Sequence, residues 1–335
     1  MTPTALVDRF GRVHRDLRVS LTDRCNLRCR YCMPAEGLPW IEGDRLLSTP
    51  ELVRLVGIAT TLGVEQVRLT GGEPLLRPDV VEVVGALARL PQPPRLSLTT
   101  NALRLPALAQ PLADAGLARV NISLDTLDRA TFKKLTLRDR LADTLAGIAA
   151  ADEAGLAPVK INSVLMRGEN DQEAPVLLAW ALRRGFHLRF IEQMPLDPQH
   201  GWSRATMVTR AEILSSLEAA GYTLTPLDER GAAPAETFAV EGAGAPAGAT
   251  VGVVGSVTAP FCSACDRVRL TADGQWRSCL FSIRETDLRG PLRDGASDEE
   301  LAVLMAGDTA RKGPGHGIDD PDFTQPDRAM SAIGG

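Results

Sequence analysis

Residues 48–74 read STPELVRLVGIATTLGVEQVRLTGGEP. Ser48 followed by Glu51, with Pro50 between them, marks a helix start, because the serine can accept from the first turn while the glutamate reaches back. Leu52, Leu55, Val56, Ala59 and Leu62 recur at helical spacing until Gly63 ends the run. Residues 66–70 then read as a short strand that stops at Gly71-Gly72. The same unit repeats outward from here. Residues 17–21 form a strand upstream. Downstream, strand-like segments at 95–100, 119–123, 159–165 and 187–192 are separated by helical stretches at 106–115, 141–154 and 172–183. Thr209 with Glu212 caps one more helix, which Gly221 closes. Six strand–helix units imply a parallel sheet with helices outside it. They are too few for a closed eightfold barrel and suit an incomplete (βα)6 TIM-like barrel or an open doubly wound sheet, in either case with the chemistry at the carboxyl ends of the strands.

The alternation fades after Pro226. Residues 231–249, rich in Gly, Ala and Pro, read as a loose surface loop; 267–271 read as a strand and 291–306 as one helix. The expected organisation is an N-terminal segment (1–14), a barrel core (15–225), a C-terminal region carrying a second cysteine group (226–320) and a tail (321–335) ending in Gly334-Gly335. A net charge of −5 offers no general attraction for nucleic acid. No apolar run approaches the ~20 residues of a membrane helix. The polar N-terminus lacks a signal-peptide core, so the expected location is the cytoplasm.

Six cysteines fall into two groups of three, Cys25-x3-Cys29-x2-Cys32 directly after the first strand and Cys262-x2-Cys265-x13-Cys279. A reducing compartment and odd-numbered groups favour metal over disulfides. Three thiolates on a short loop can hold a four-iron cluster and leave one iron open. Zinc with a distant fourth ligand is the alternative at the first group, and His316 could complete such a site at the second. Arg68, Lys160 and Arg189 lie in or near strand ends that converge on one face of the sheet. Arg267 and Arg269 alternate on a strand and so point the same way, toward a substrate or merely toward solvent. No Gly-x4-Gly-Lys-Ser/Thr phosphate loop occurs. The four histidines and four tryptophans read as packing or surface residues.

With Tyr31 just before its last cysteine and Gly71-Gly72-Glu73-Pro74 at the second strand end, the first group resembles the radical S-adenosylmethionine (SAM) superfamily. Cys-x-x-Cys-Asp-Arg-x-Arg at 262–269 narrows the resemblance to the GTP 3′,8-cyclase family. Segments 17–26, 67–74, 121–125, 159–162 and 189–194 and the terminal Gly334-Gly335 extend it over nearly the whole chain. The resemblance implies two [4Fe-4S] clusters, on Cys25, Cys29 and Cys32 and on Cys262, Cys265 and Cys279. SAM would be cleaved at the first, and guanine would be held at the second. Tyr31, Gly72, Ser123 and Met194 would contact SAM. Arg18, Arg68, Thr99, Lys160, Arg189, Arg267, Val268 and Arg269 would surround GTP, with Arg18, Arg267 and Arg269 stabilising charge during cyclisation. It further implies a role in molybdenum cofactor biosynthesis as monomer or homodimer. The electron donor would be one such as flavodoxin or ferredoxin, with hand-off to cyclic pyranopterin monophosphate synthase and no nucleic-acid or membrane partner. Ala102 stands where the family has glycine, and a positive φ there would strain it. A peptide-modifying radical enzyme and a non-enzymatic redox sensor are the competing readings.

Overall fold

The computed structural model describes residues 3–228 and 230–334, so Met1 and Thr2 of the expected N-terminal segment and Gly335 of the tail lie outside the described residues. Strand β1 (Asp16–Ser20) is followed by α1 (Thr49–Thr61), β2 (Gln66–Thr70), α2 (Val80–Ala88), β3 (Arg95–Thr100), α3 (Leu105–Asp114) and β4 (Arg119–Ser123). Then come α4 (Arg129–Thr136), α5 (Leu141–Glu153), β5 (Lys160–Val164), α6 (Ala174–Arg183), β6 (His187–Ile191) and α7 (Arg210–Ala219). The remainder holds β7 (Tyr222–Leu227), β8 (Glu236–Gly242), β9 (Thr250–Val254), β10 (Arg267–Leu270), β11 (Gln275–Arg277), β12 (Thr286–Asp287), α8 (Arg289–Arg293), α9 (Asp298–Ala310) and α10 (Met330–Ile333).

One sheet carries all of these strands, in the order β12-β11-β10-β1-β2-β3-β4-β5-β6-β9-β8-β7. Strands β1 to β6 are neighbours in chain order and parallel, which is the expected six-unit partial barrel. The C-terminal region continues the same sheet at both sides. Strand β10 pairs in parallel with β1, and β9 pairs in parallel with β6. A meander, β9-β8-β7, and a short antiparallel pair, β11-β12, finish the edges.

Parallel strands covered on both faces normally read as continuous apolar runs. These alternate. Leu17, Val19, Val67, Leu69, Leu96, Leu98, Val120, Ile122, Ile161, Leu188 and Phe190 are buried in a single core with the inner faces of the helices. Each aliphatic side chain so buried contributes about 1.5–3 kcal/mol. The opposite face carries Asp16, Arg18, Ser20, Arg68, Thr70, Ser97, Thr99, Arg119, Asn121, Ser123, Lys160, Asn162 and Arg189. A barrel interior is usually filled by branched aliphatics; this one is lined with charge and is a lumen rather than a core.

Local signals set the best-read elements. Both α1 and α7 open with complete capping boxes, Ser48 with Glu51 and Thr209 with Glu212. Two expectations are corrected. The stretch 231–249 is not all loop: it contains β8, whose Phe238 and Val240 are buried while small and polar neighbours face out. The single helix expected at 291–306 is two, because Gly295 turns left-handed (φ +90) and Ser297 with Glu300 starts α9 afresh.

Candidate active site

Cys25, Cys29 and Cys32 occupy the loop that leaves the carboxyl end of β1. The Gly71-Gly72 pair ends β2 beside it. A Cβ on Gly71 (φ +138) would overlap the Thr22 carbonyl oxygen, and one on Gly72 would come within 2.5 Å of the Asp23 carbonyl. The missing side chains let two strand ends meet. Gly72 N donates to Thr22 O (2.8 Å) and Glu73 N to Arg24 O (2.7 Å), directly before Cys25. The glycines thereby admit the main chain that carries the cysteine loop. The Glu73 side chain then accepts from Thr100 Oγ1 (2.7 Å), Asn101 N (2.8 Å) and Leu75 N (3.0 Å), tying β2 to β3. Burial raises its carboxyl to about 7.

Other strand ends arrive at the same place. Asn101, after β3, donates to Asn26 Oδ1 at 2.7 Å. Tyr31 OH donates to Asp125 Oδ2 (2.8 Å), and Asp125 Oδ1 accepts from Val164 N (2.9 Å), so the tyrosine is held by a residue just after β4 that is itself tied to the last residue of β5. Ser123 ends β4, and Met194 lies in the loop after β6. Tyr31, Gly72, Ser123 and Met194 are thus gathered at one end of the sheet around the first cysteine group. Burial, the charge of Glu73 and the other thiols raise Cys25 to about 11 and Cys32 to about 12, and Cys29 is also raised. Thiols raised this far keep their protons at neutral pH, and a metal bound to them would release those protons.

Below this end lies the cationic lumen. Arg269, Arg18, Arg68, Ser97 and Arg119 stand in one row across β10, β1, β2, β3 and β4. A second row runs from Thr99 through Asn121 and Lys160 to His187. Arg189 donates from Nε to Asn162 Oδ1 (3.0 Å) and from Nη2 to Asn121 Oδ1 (2.7 Å). Its stem crosses Gly252, where a Cβ would be 2.8 Å from Arg189 Cγ. Burial first, and then mutual repulsion, pulls Arg18 and Arg269 down to about 9, Arg68 and Arg189 to about 10 and Lys160 to about 8. Asp16 is paired across the sheet with Arg267. Arg18 Nε, Arg68 Nε, Arg119 Nε, Asn121 Nδ2 and Ser20 Oγ are buried without a hydrogen-bond partner among the described residues. Such a surface is built for a polyanion that brings acceptors with it.

Arg18, Arg68, Thr99, Lys160, Arg189, Arg267 and Arg269 all lie on this face. Val268 does not: its side chain is in the helix-side core, and only its main chain reaches the lumen. Arg119, Asn121 and Asn162 also lie on this face, though no motif had given them a role of their own. The signal was available, since Arg119-x-Asn121-x-Ser123 repeats the alternation of Arg18 with Ser20. Arg269 Nη1 donates to Gly334 O, and a Cβ on Gly334 would be 2.7 Å from Ser20 Oγ, so the tail enters the lumen.

The second cysteine group closes the opposite end. Cys262 and Cys265 precede β10, which runs parallel to β1, and Cys279 follows the antiparallel β11. Five residues of β1, roughly 16 Å of strand, separate the levels of the two groups. Burial raises the Cys265 thiol, but the charges of Arg267 and Lys312 outweigh it and hold it at about 7. His316 has Nε2 2.9 Å from Ser256 O and Nδ1 accepting from Ile318 N (3.1 Å). None of the six cysteines is disulfide-bonded. Among the described residues no three His, Cys, Asp or Glu side chains close on a point as a single ion requires. Each group offers three thiols, a donor set of the kind that iron–sulfur clusters use.

Comparison with known proteins agrees with this geometry. The Radical SAM superfamily profile matches residues 19–181, and that of Molybdenum Cofactor Synthesis C matches 186–318. The GTP 3′,8-cyclase of Streptomyces coelicolor is 59% identical over 332 residues, covering 98% of this chain and 96% of its own. That of Paenarthrobacter nicotinovorans is 54% identical over 344 residues, covering 98% and 97%. Among solved structures, Streptococcus suis SuiB superposes with a TM-score of 0.60 at 14% identity, covering 92% of this chain and 68% of SuiB, a likeness of fold. With identity above one half along almost its entire length and both profiles in order, the chain belongs to the GTP 3′,8-cyclase family of the radical SAM superfamily.

Proposed function

We propose that the chain joins C3′ of GTP to C8 of its own guanine, giving (8S)-3′,8-cyclo-7,8-dihydroguanosine 5′-triphosphate, the first step of molybdenum cofactor biosynthesis. One observation carries this reading: buried, mutually repelling cations with unpartnered N–H groups, strung between two cysteine triads. A nucleoside triphosphate supplies the negative charge and acceptors they lack, and its length suits a lumen open to both triads.

A four-iron cluster and SAM, when bound, supply a carbon-centred radical that removes a hydrogen atom. Cys25, Cys29 and Cys32 would hold that cluster, with Tyr31, Gly72, Ser123 and Met194 about SAM. Cys262, Cys265 and Cys279 would hold a second, which would supply a site for the O6/N1 pair that guanine offers and adenine lacks. Arg68, Lys160 and Arg189 grip the triphosphate, the arginines by paired hydrogen bonds and the lysine as a point charge. Thr99 and the Val268 main chain border the nucleoside. Arg18, Arg267 and Arg269 stabilise charge that develops during ring closure. Placement is the fold's main contribution, since C3′ must lie within reach of both its hydrogen acceptor and C8. The electrons come from a small carrier such as flavodoxin or ferredoxin, and the product passes to cyclic pyranopterin monophosphate synthase in the cytoplasm.

Anaerobic reconstitution with iron and sulfide, followed by SAM, dithionite and GTP, tests the proposal by product mass. The unaltered protein is expected to bind about eight irons. Cys262→Ser is expected to keep forming 5′-deoxyadenosine while losing the cyclised product. Normal product from that variant would contradict the two-site assignment.

A further inference from the structure

Lys312, two residues beyond α9, is 4% exposed and lies behind the second cysteine group, against the main chain of Arg267. Its ammonium has three N–H groups, and three acceptors surround it: Arg267 O at 2.7 Å, Cys265 Sγ at 3.4 Å and His14 Nδ1 at 3.5 Å. Because His14 Nδ1 accepts, Nε2 carries the ring proton and donates to Asp8 Oδ2 at 3.1 Å. Asp8 is fixed in turn by Phe10 N (2.9 Å) and by Arg12. Arg12 reaches the same triad from the other side, with Nη1 donating to Cys262 O and Nη2 to Gly313 O, both at 2.6 Å. Residues 8–14 therefore brace two of the three second-triad cysteines.

Packing alone does not account for a lysine here. Methionine has similar volume and avoids the cost of desolvating a charge. Of the three acceptors, the carbonyl and the imidazole are neutral, and only the cysteine sulfur becomes an anion. We propose that Lys312 is a positioning residue for the second triad: its N–H···S bond to Cys265 orients that ligand and raises the reduction potential of the iron–sulfur group held there. The inference rests on reading the second triad as a cluster site. Its physical basis is that reduction adds negative charge to the cluster, and a buried cation with a hydrogen bond to a ligand sulfur stabilises the reduced state.

The test uses the full-length chain with Cys25, Cys29 and Cys32 replaced by alanine, so that signals arise at the second triad alone. Iron content and the midpoint potential from an EPR-monitored redox titration are compared for Lys312, Lys312→Met, Lys312→Gln and Lys312→Arg. Lys312→Met is expected to keep its iron and move to a more negative potential. Lys312→Gln, which keeps a donor without the charge, should fall between, and Lys312→Arg should restore most of the shift. Full iron with an unmoved potential in Lys312→Met overturns the proposal. So does loss of iron from all three variants, which would leave only a folding role. If the background protein with Lys312 intact binds zinc or no iron, the cluster reading of the triad fails instead, and this inference falls with it.

Discussion

Gly72 shows how much of this site depends on a side chain that is not there. A methyl group at this position would press on the carbonyls of Asp23 and Arg24, backbone that cannot move without moving Cys25. Gly72→Ala is expected to cost about 1–3 kcal/mol, as overpacking does, and to lower the iron bound after reconstitution toward half. Iron analysis beside urea unfolding checks both. His14 makes a different demand. Burial, reinforced by the charge of Lys312, lowers its pKa from 6.5 to about 4. Between those values the unfolded chain binds a proton that the folded chain does not. Its contribution is complete above pH 6.5 and drains as pH falls toward 4, by up to about 3 kcal/mol. His14→Gln should flatten the fall in urea midpoint between about pH 7.5 and about pH 5.5; an unchanged slope would show that another group governs it. The cysteines and the family's arginines were legible because they sit in motifs. Lys312 was not, since it gains meaning only from neighbours on strands and loops far along the chain.

Elements were read as well as their local signals allowed. Capping boxes and glycine stops marked α1 and α7, and the outer apolar faces marked β2 to β6. Strand β8 was hidden because glycine and alanine dominate its surroundings, and its pairing with β7 and β9 is what orders it. The contact of α5 with the loop after β3 was equally invisible. Ala102 there adopts φ +69, the left-handed conformation that the expected glycine would accept freely. Its carbonyl lies where a Cβ on Gly147 would be, and its own Cβ would be 2.9 Å from that atom. Helix propensity alone gives Gly147→Ala a gain of about 1 kcal/mol. The contact reverses the sign: a loss of about 1–3 kcal/mol is expected, measurable by chemical denaturation. Stabilisation by this change would show that α5 can slide away from the loop.

At the scale of the whole molecule, one sheet runs through both the core and the C-terminal region. The parallel run begins with a strand from residues 267–270 and ends with one from 250–254. A fragment ending at residue 225 would leave β1 and β6 as open edges, with the Arg18 row uncovered. It is expected to aggregate, as exposed edges do; a monomeric, cooperatively unfolding fragment in sedimentation and denaturation experiments would show that the core stands alone. No described helix is long and apolar enough to cross a membrane. The pairing of Asp16 with Arg267 also has a temporal side. On a ribosome adding about 5–20 residues per second, β1 emerges at least ten seconds or so before its outer partner exists. Iron delivered during that interval would meet the first triad on a half-built wall, so cofactor loading belongs after translation has reached the last third of the message.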